Sequence, residues 1–439
     1  MTQVPPRVAI AGGGLAGMAA AAALGSAGFE VDLYEARSFL GGRAASYPLP
    51  NSGEAIDNCQ HILLGCCTNL RDFYARLGVE GKVRFDRTYY FLEPGGRRSQ
   101  LRAAALPAPF HFLGSFIRLR FLSASDKLAV ARALLAILRE RNGRTDLDQI
   151  TMLEWLKEKK QPPRAIDRFW RQILVSAVNE ELDRMAACHG FQVFWLGFLT
   201  GSRNSEMGVP AVPLGELYCL EAWKRLPQVR LHFRTPVEQI VVRDGRASVV
   251  VAGAPQEADF VISALPLDKL RQVAPLLPLS ELDCSPITGI HLWFDRPVTD
   301  LPHATLLDRT VQWFFNRAGG RYLLLVVSAS RSLLELSRAE IIELAIRELA
   351  EFLPAVRQAS LERAHVVKEV RATFSASPQA ESLRARPETL ARNLFLAGDW
   401  TRTGWPATME GAVRSGYLAA EAVARAAGCP HRFLLPDPI

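Results

Sequence analysis

The feature that most constrains this chain lies near its start. Arg7-Val8-Ala9-Ile10-Ala11 has the apolar character of a buried strand, and Gly12-Gly13-Gly14-Leu15-Ala16-Gly17 follows at once. Gly12, Gly14 and Gly17 fill the three glycine positions of GxGxxG. The first permits a tight turn, the second lets backbone approach a pyrophosphate, and the third lets the helix pack closely on the strand. An alanine-rich run from Leu15 to about Ala27 predicts that helix, with free N–H groups at Leu15 and Ala16 offered to phosphate. Gly28 stops it. Glu30-Val31-Asp32-Leu33-Tyr34-Glu35 reads as the next strand. Glu35, with Ala36 after it, comes 23 residues after Gly12, where an acid hydrogen-bonds an adenosine ribose. A glycine-rich turn without a ligand does not explain that acid.

No charge occurs from Val8 to Phe29, long enough to resemble a membrane span. The glycines and the strand-like opening exclude one, and Arg7, the only basic residue before the run, is a poor start for a signal peptide. The 439 residues suffice for two or three domains. With 22% charged and 9% aromatic residues, disordered and fibrous classes are out. Seven cysteines without a CxxC pair argue against a disulfide scaffold or structural zinc, so no metal site is expected and a reducing compartment fits.

The glycine motif does not separate NAD from FAD. The next segment, Arg37-Ser38-Phe39-Leu40-Gly41-Gly42-Arg43-Ala44, resembles the FAD-dependent amine oxidase and carotenoid desaturase superfamily. The resemblance implies that Gly41, Gly42 and Arg43 lie along the FAD pyrophosphate, with Arg43 supplying fixed positive charge. A second box stands near the other end: a strand ending in Gly398-Asp399, then Thr408-Met409-Glu410-Gly411 opening a helix. In the superfamily this box holds the ribityl chain and flavin, which implicates Gly398, Asp399, Thr408, Met409 and Gly411. A helix N-terminus near Met409 puts partial positive charge beside the flavin pyrimidine. The resemblance also places Val237 against adenine. No cysteine or histidine occurs between Gly398 and Gly411, so FAD is expected to be non-covalent.

The expected fold is α/β, a two-domain architecture like that of amine oxidases. Residues 1–75, 210–268 and 388–425 form a discontinuous Rossmann-like FAD domain. Residues 76–209 and 269–387 form an α+β substrate domain. The tail after Gly428 is expected to be loose.

Ile56-Asp57-Asn58-Cys59-Gln60-His61 looks like a segment of the hydroxysqualene dehydroxylases of hopanoid pathways, with Cys59 where those enzymes have glycine. A positive φ there would strain Cys59. The run from Leu394 to Gly416 looks like the same subgroup. The implied reaction is reductive: hydroxysqualene and reduced FAD give squalene, water and oxidised FAD, by protonation of the departing oxygen and hydride transfer to an allylic cation. Asp57 and His61 are the candidate acids; at i and i+4 they share a face only on a helix. Trp293, Trp313, Phe314 and Phe315 either line an apolar cavity or fill core.

Charge is uneven. From Arg97 to Arg144 there are ten basic and two acidic residues. Aromatics and leucines lie among the arginines between Pro109 and Leu122, and the region 105–145 is expected to contact an anionic membrane. A cytoplasmic protein at the inner membrane face, taking a long apolar isoprenoid, fits these features. No nucleic-acid motif is present, and no second nucleotide site names the electron donor. A carotenoid desaturase runs the same cofactor oxidatively and is the alternative. An amine oxidase comes next. A non-catalytic FAD-stabilised membrane partner of terpenoid synthases is the reading from outside the enzymes.

Overall fold

The computed structural model describes residues 5–49 and 52–438. A five-stranded parallel sheet runs in the order Val229–His232, Glu30–Tyr34, Arg7–Ala11, Phe260–Ser263, Leu394–Leu396. These strands are short and apolar because both sheet faces are covered. Val8, Ile10, Ile262 and Phe395 face the helices Leu15–Ser26 and Met409–Ala426. Ala9, Ala11, Val261 and Leu394 face the three-stranded antiparallel layer Val237–Arg243, Arg246–Val251, Ala254–Gln256. The two helices cross at small residues: a Cβ added at Gly416 would lie 2.2 Å from the Ala16 carbonyl oxygen.

A seven-stranded sheet forms the second body, in the order Leu361–Phe374, Cys284–Phe294, Tyr322–Ser328, Trp313–Ala318, His303–Leu306, Thr88–Leu92, Arg98–Arg102. Strand alternation splits its side chains between two faces. Ala304, Leu306, Phe314 and Leu325 pack with the helix Arg338–Phe352. That helix starts at a reciprocal cap, in which Ser337 Oγ accepts the Glu340 N–H and the Glu340 carboxylate accepts the Ser337 N–H. Tyr89, Phe91, Trp313 and Phe315 share the other core with the helices Arg171–Val178 and Ala187–Phe194. Phe314 is therefore core, Trp313 alone of the four expected aromatics reaches the cavity described below, and Trp293 stacks on Tyr322 with Arg363 over its ring.

The tail departs from expectation. Beyond Gly428 it has no helix or strand among the described residues, yet it is fastened. Phe433 is buried, and the N–H groups of Phe433 and Leu434 both donate to Glu421. Asp437 accepts from Trp405 Nε1 and Arg414. Hydrogen bonds to distant side chains hold it where no local periodicity announces order.

Candidate functional site: a dinucleotide cradle beside an apolar cavity

The cradle begins where the first strand ends. Gly12 donates its N–H to the Tyr34 carbonyl at 2.8 Å and takes φ +106°, which L side chains avoid. A Cβ at Gly17 would sit 1.9 Å from the Gly12 carbonyl oxygen, so the helix starting at Leu15 and Ala16 lies directly on the turn. Gly14 differs: a Cβ there would meet no protein atom within 4 Å. No side chain caps the helix at Gly14, leaving its first N–H groups directed at that open room.

Glu35 is half-buried, and its carboxylate accepts the N–H groups of Gly13 and Arg37, each at 2.8 Å. Ala36 is exposed beside it. Val237 is buried at the start of its strand, close by, because the Thr235 N–H donates to the Glu35 carbonyl at 2.9 Å. Gly41 donates its N–H to the Gly13 carbonyl at 2.9 Å, and a Cβ at Gly42 would come within 3.1 Å of Gly14 Cα. The Gly41–Gly42 turn thus closes the other side of the same room.

The far box joins here. Arg43 Nη2 pairs with Asp399 at 2.5 Å, and Asp399 raises the Arg43 pKa further, fixing its charge. Ser415, on the helix Met409–Ala426, accepts the Gly398 N–H at 2.8 Å. Thr408 caps that helix by accepting the Gly411 N–H at 3.0 Å. Gly411 approaches its own loop, since a Cβ there would meet the Pro406 carbonyl oxygen at 2.6 Å. Arg384 was not signalled by any motif. It is buried and donates to the carbonyls of Asp399 and Trp405, so it braces the loop between strand and helix. In the sequence it is one of three arginines, with Arg386 and Arg392, in the 15 residues upstream of Asp399, and nothing sets it apart.

Asp57 and His61 do not share a helix face. Asp57 ends the strand Ala55–Asp57, and a turn carries the chain to His61. Asp57 is buried, and both its carboxylate oxygens are committed. Oδ1 accepts from Ser46 Oγ at 2.6 Å and the Leu214 N–H at 2.9 Å; Oδ2 lies 3.3 Å from Arg317 Nη2. His61 Nδ1 lies 2.9 Å from the Cys59 carbonyl, a contact that requires the proton on Nδ1. Burial lowers the His61 pKa, which favours the neutral ring. Asn58 donates Nδ2 to the Arg43 carbonyl, tying this segment to the Gly41–Gly42 turn. Cys59 takes no left-handed φ, so the replaced glycine leaves no strain. Burial pushes its thiol up to about 12.

Below the far box lies an apolar cavity of about 170 Å³. Ile62, Tyr89, Phe91, Trp313, Thr408 and Met409 are in its wall, and so is Glu410. Neither Asp57 nor His61 is. Glu410 is buried, and its carboxylate accepts the N–H groups of Asn69 and Leu70 at the start of the helix Thr68–Arg76, plus Asn69 Nδ2. Burial outweighs those donors and raises its pKa. Sequence reasoning passed over Glu410, although it stands between Met409 and Gly411. A second apolar cavity of about 200 Å³ adjoins the first, sharing Leu101, Ile173 and Phe198 as lining.

The two boxes, the open room at Gly14 and the free helix start fit FAD. This fold and cradle define an FAD-dependent oxidoreductase. The model of the flavin containing amine oxidoreductase family matches residues 15–424, and the chain belongs to that family. Two relatives match nearly the whole chain. It is 30% identical over 426 residues to a hydroxysqualene dehydroxylase of Zymomonas mobilis, covering 94% of this chain and 97% of that one. It is 27% identical over 457 residues to a 15-cis-phytoene desaturase of Synechococcus elongatus, covering 95% of each. Among solved structures, an oxidoreductase from Methanosarcina mazei shares the fold, with a TM-score of 0.70, 18% identity, and coverage of 93% of this chain and 98% of that one.

Proposed function

We propose that the protein removes the hydroxyl of hydroxysqualene reductively, giving squalene and water. The observation that carries this reading is the apolar cavity opening onto Thr408, Met409 and Glu410, where the far box meets the substrate domain. Its walls suit a hydrocarbon chain and not an amine. The dehydroxylase and the desaturase relatives each match this chain over nearly the full length of both, so the preference for dehydroxylation over desaturation rests on the Asp57–His61 segment.

Hydroxide is a poor leaving group, so the oxygen must be protonated as it departs. Glu410 is the carboxyl in the cavity wall, and burial raises its pKa; to deliver the proton it must release one of the Asn69 and Leu70 donors that hold its two oxygens. The remaining walls exclude water from the allylic cation left behind. Bound in reduced form, FAD supplies the hydride that completes the reaction. Asp57 holds the Ser46, Leu214 and Arg317 donors in place, and His61 fixes the turn that Asn58 ties to Arg43.

The substrate enters from a membrane. Leu106, Phe110, Leu113, Ile117, Leu128 and Leu135 are 47–59% exposed, beside the exposed Arg102, Arg118, Arg120 and Arg132. Phe110, Leu113 and Leu135 also line the second cavity, which leads toward the first. An apolar face ringed with arginines suits an anionic bilayer surface. No helix among the described residues is long and apolar enough to cross a membrane.

The test is anaerobic. The purified flavoprotein in detergent is reduced, and hydroxysqualene is added. Flavin reoxidation with squalene in the extract is the expected result. Flavin that stays reduced, with desaturation of phytoene by the oxidised enzyme, would instead give the desaturase reading.

A further inference from the structure

Two residues that line the apolar cavity each carry a buried side-chain oxygen with no partner among the described residues. Thr305 is fully buried and Gln172 is 4% exposed; Thr305 Oγ1 and Gln172 Oε1 both lack a hydrogen bond, and both residues line this cavity. Burying a hydroxyl or amide oxygen unpaired is unfavourable, and native structures keep such groups where a ligand or ordered water completes them.

The two residues come from different elements, and Trp313 links them. Thr305 lies mid-sheet, paired with Phe91 on one side and Trp313 on the other. Both aromatics line the cavity, so Thr305 is a polar point on an aromatic floor. Trp313 donates its Nε1–H to Ser176 Oγ at 2.8 Å, and Ser176 Oγ in turn donates to the Gln172 carbonyl at 2.8 Å, one helical turn back. Ser176 is thereby satisfied, while the Gln172 Oε1 is left over. Gln172 also lines a polar cavity of about 580 Å³ on its other side, with Gln312, Glu348 and Ser330. Its amide stands in the wall between an apolar chamber and a polar one.

We infer that Thr305 and Gln172 form a hydroxyl-recognition subsite for a long apolar alcohol: Gln172 Oε1 accepts the alcohol O–H, Thr305 Oγ1 donates to the alcohol oxygen, and the C–O bond is thereby positioned in the apolar cavity. The inference deepens the dehydroxylation reading and rests on it for the ligand. A pure hydrocarbon leaves both oxygens unpaired, so the subsite selects the alcohol over its product.

The experiment compares binding of hydroxysqualene and squalene, two lipids of one carbon skeleton, to the oxidised holoenzyme in detergent. Radiolabelled lipid retained with the protein on gel filtration is the readout. Wild type is expected to prefer the alcohol by about tenfold or more. Thr305→Val, which keeps shape and removes the hydroxyl, and Gln172→Leu are each expected to lower that preference several-fold while squalene binds as well as before. Thr305→Ser is expected to restore it. Equal affinity of wild type for the two lipids would overturn the inference, as would variants that lose both lipids in parallel. Turnover separates this from the reaction assignment. Selective alcohol binding without reoxidation of reduced flavin would sink dehydroxylation and leave the subsite standing. Turnover with undiminished selectivity in both variants would do the reverse.

Discussion

Replacing Asp57 by asparagine separates a brace from a proton donor. The Asp57 side chain is 3% exposed and the Arg317 side chain opposite it 17%, so water offers little compensation if the charge is removed. An asparagine can keep its Oδ1 toward Ser46 Oγ and the Leu214 N–H. Its Nδ2 then faces the guanidinium, donor against donor. Removing one partner of a buried ion pair costs about 3–5 kcal/mol. Arg317 is partly exposed and still donates Nη1 to Gln60, so the expected cost falls below that range, to about 2–3 kcal/mol. Denaturant unfolding followed by circular dichroism reads this directly. The Asp57→Asn/Arg317→Gln double variant should recover part of the loss, with a coupling energy of about 1–2 kcal/mol. Flavin content should stay near wild type, because Asp57 touches the cradle only through the segment after it. If Asp57→Asn unfolds at the wild-type midpoint, keeps its flavin and loses turnover, the carboxyl is acting on substrate and the bracing argument is wrong.

Gly14→Ala should fold normally but retain much less FAD, since its Cβ enters the open room; Gly17→Ala, whose Cβ would strike the Gly12 carbonyl, should lose both stability and flavin. Absorbance at the flavin band per protein, beside melting of the apoproteins, distinguishes them. Glu410→Gln should lower turnover by about 10²–10⁴-fold. In wild type the rate should fall as pH rises through the raised Glu410 pKa, because the acid form is then lost; a pH–rate profile without that limb would remove Glu410 from the chemistry. Asp32 is held well below the usual carboxylate range, chiefly by hydrogen bonds from Arg230. A depressed carboxylate stabilises the fold above its unfolded pKa and loses that contribution as pH falls. Asp32→Asn should therefore be clearly less stable than wild type at pH 7, with the gap closing as pH drops below about 4. Paired Phe110→Asp and Ile117→Asp changes should reduce flotation with vesicles of anionic phospholipid and spare flavin content; unchanged flotation would exclude this face as the membrane contact.

What could be read from the sequence follows from which contacts are local. Gly12, Gly14, Gly17 and Glu35 belong to one strand–turn–helix–strand unit, so their order along the chain is nearly their order in space. The far box was legible for the same reason: strand, loop and helix start are consecutive from Leu394 to Gly411. Asp57 and His61 show the limit. Their i, i+4 spacing places them on one face only in a helix, and the Ser46–Pro48 strand draws Asp57 into an antiparallel pair instead. Arg384, Thr305 and Gln172 had no signal, because each gains its meaning from a partner far along the chain. Thr305 becomes a polar point in an aromatic floor only when the sheet sets it between Phe91 and Trp313, residues 214 positions before it and eight after it. The cofactor site is thus written in short motifs, since phosphate and ribose are met by consecutive backbone. The substrate site is assembled from single side chains on a mixed sheet and its covering helices. Relatives that share the cradle can therefore diverge in substrate through a few such positions. Thr305, Gln172 and Glu410 are where that divergence should be sought, before any residue of the glycine motifs.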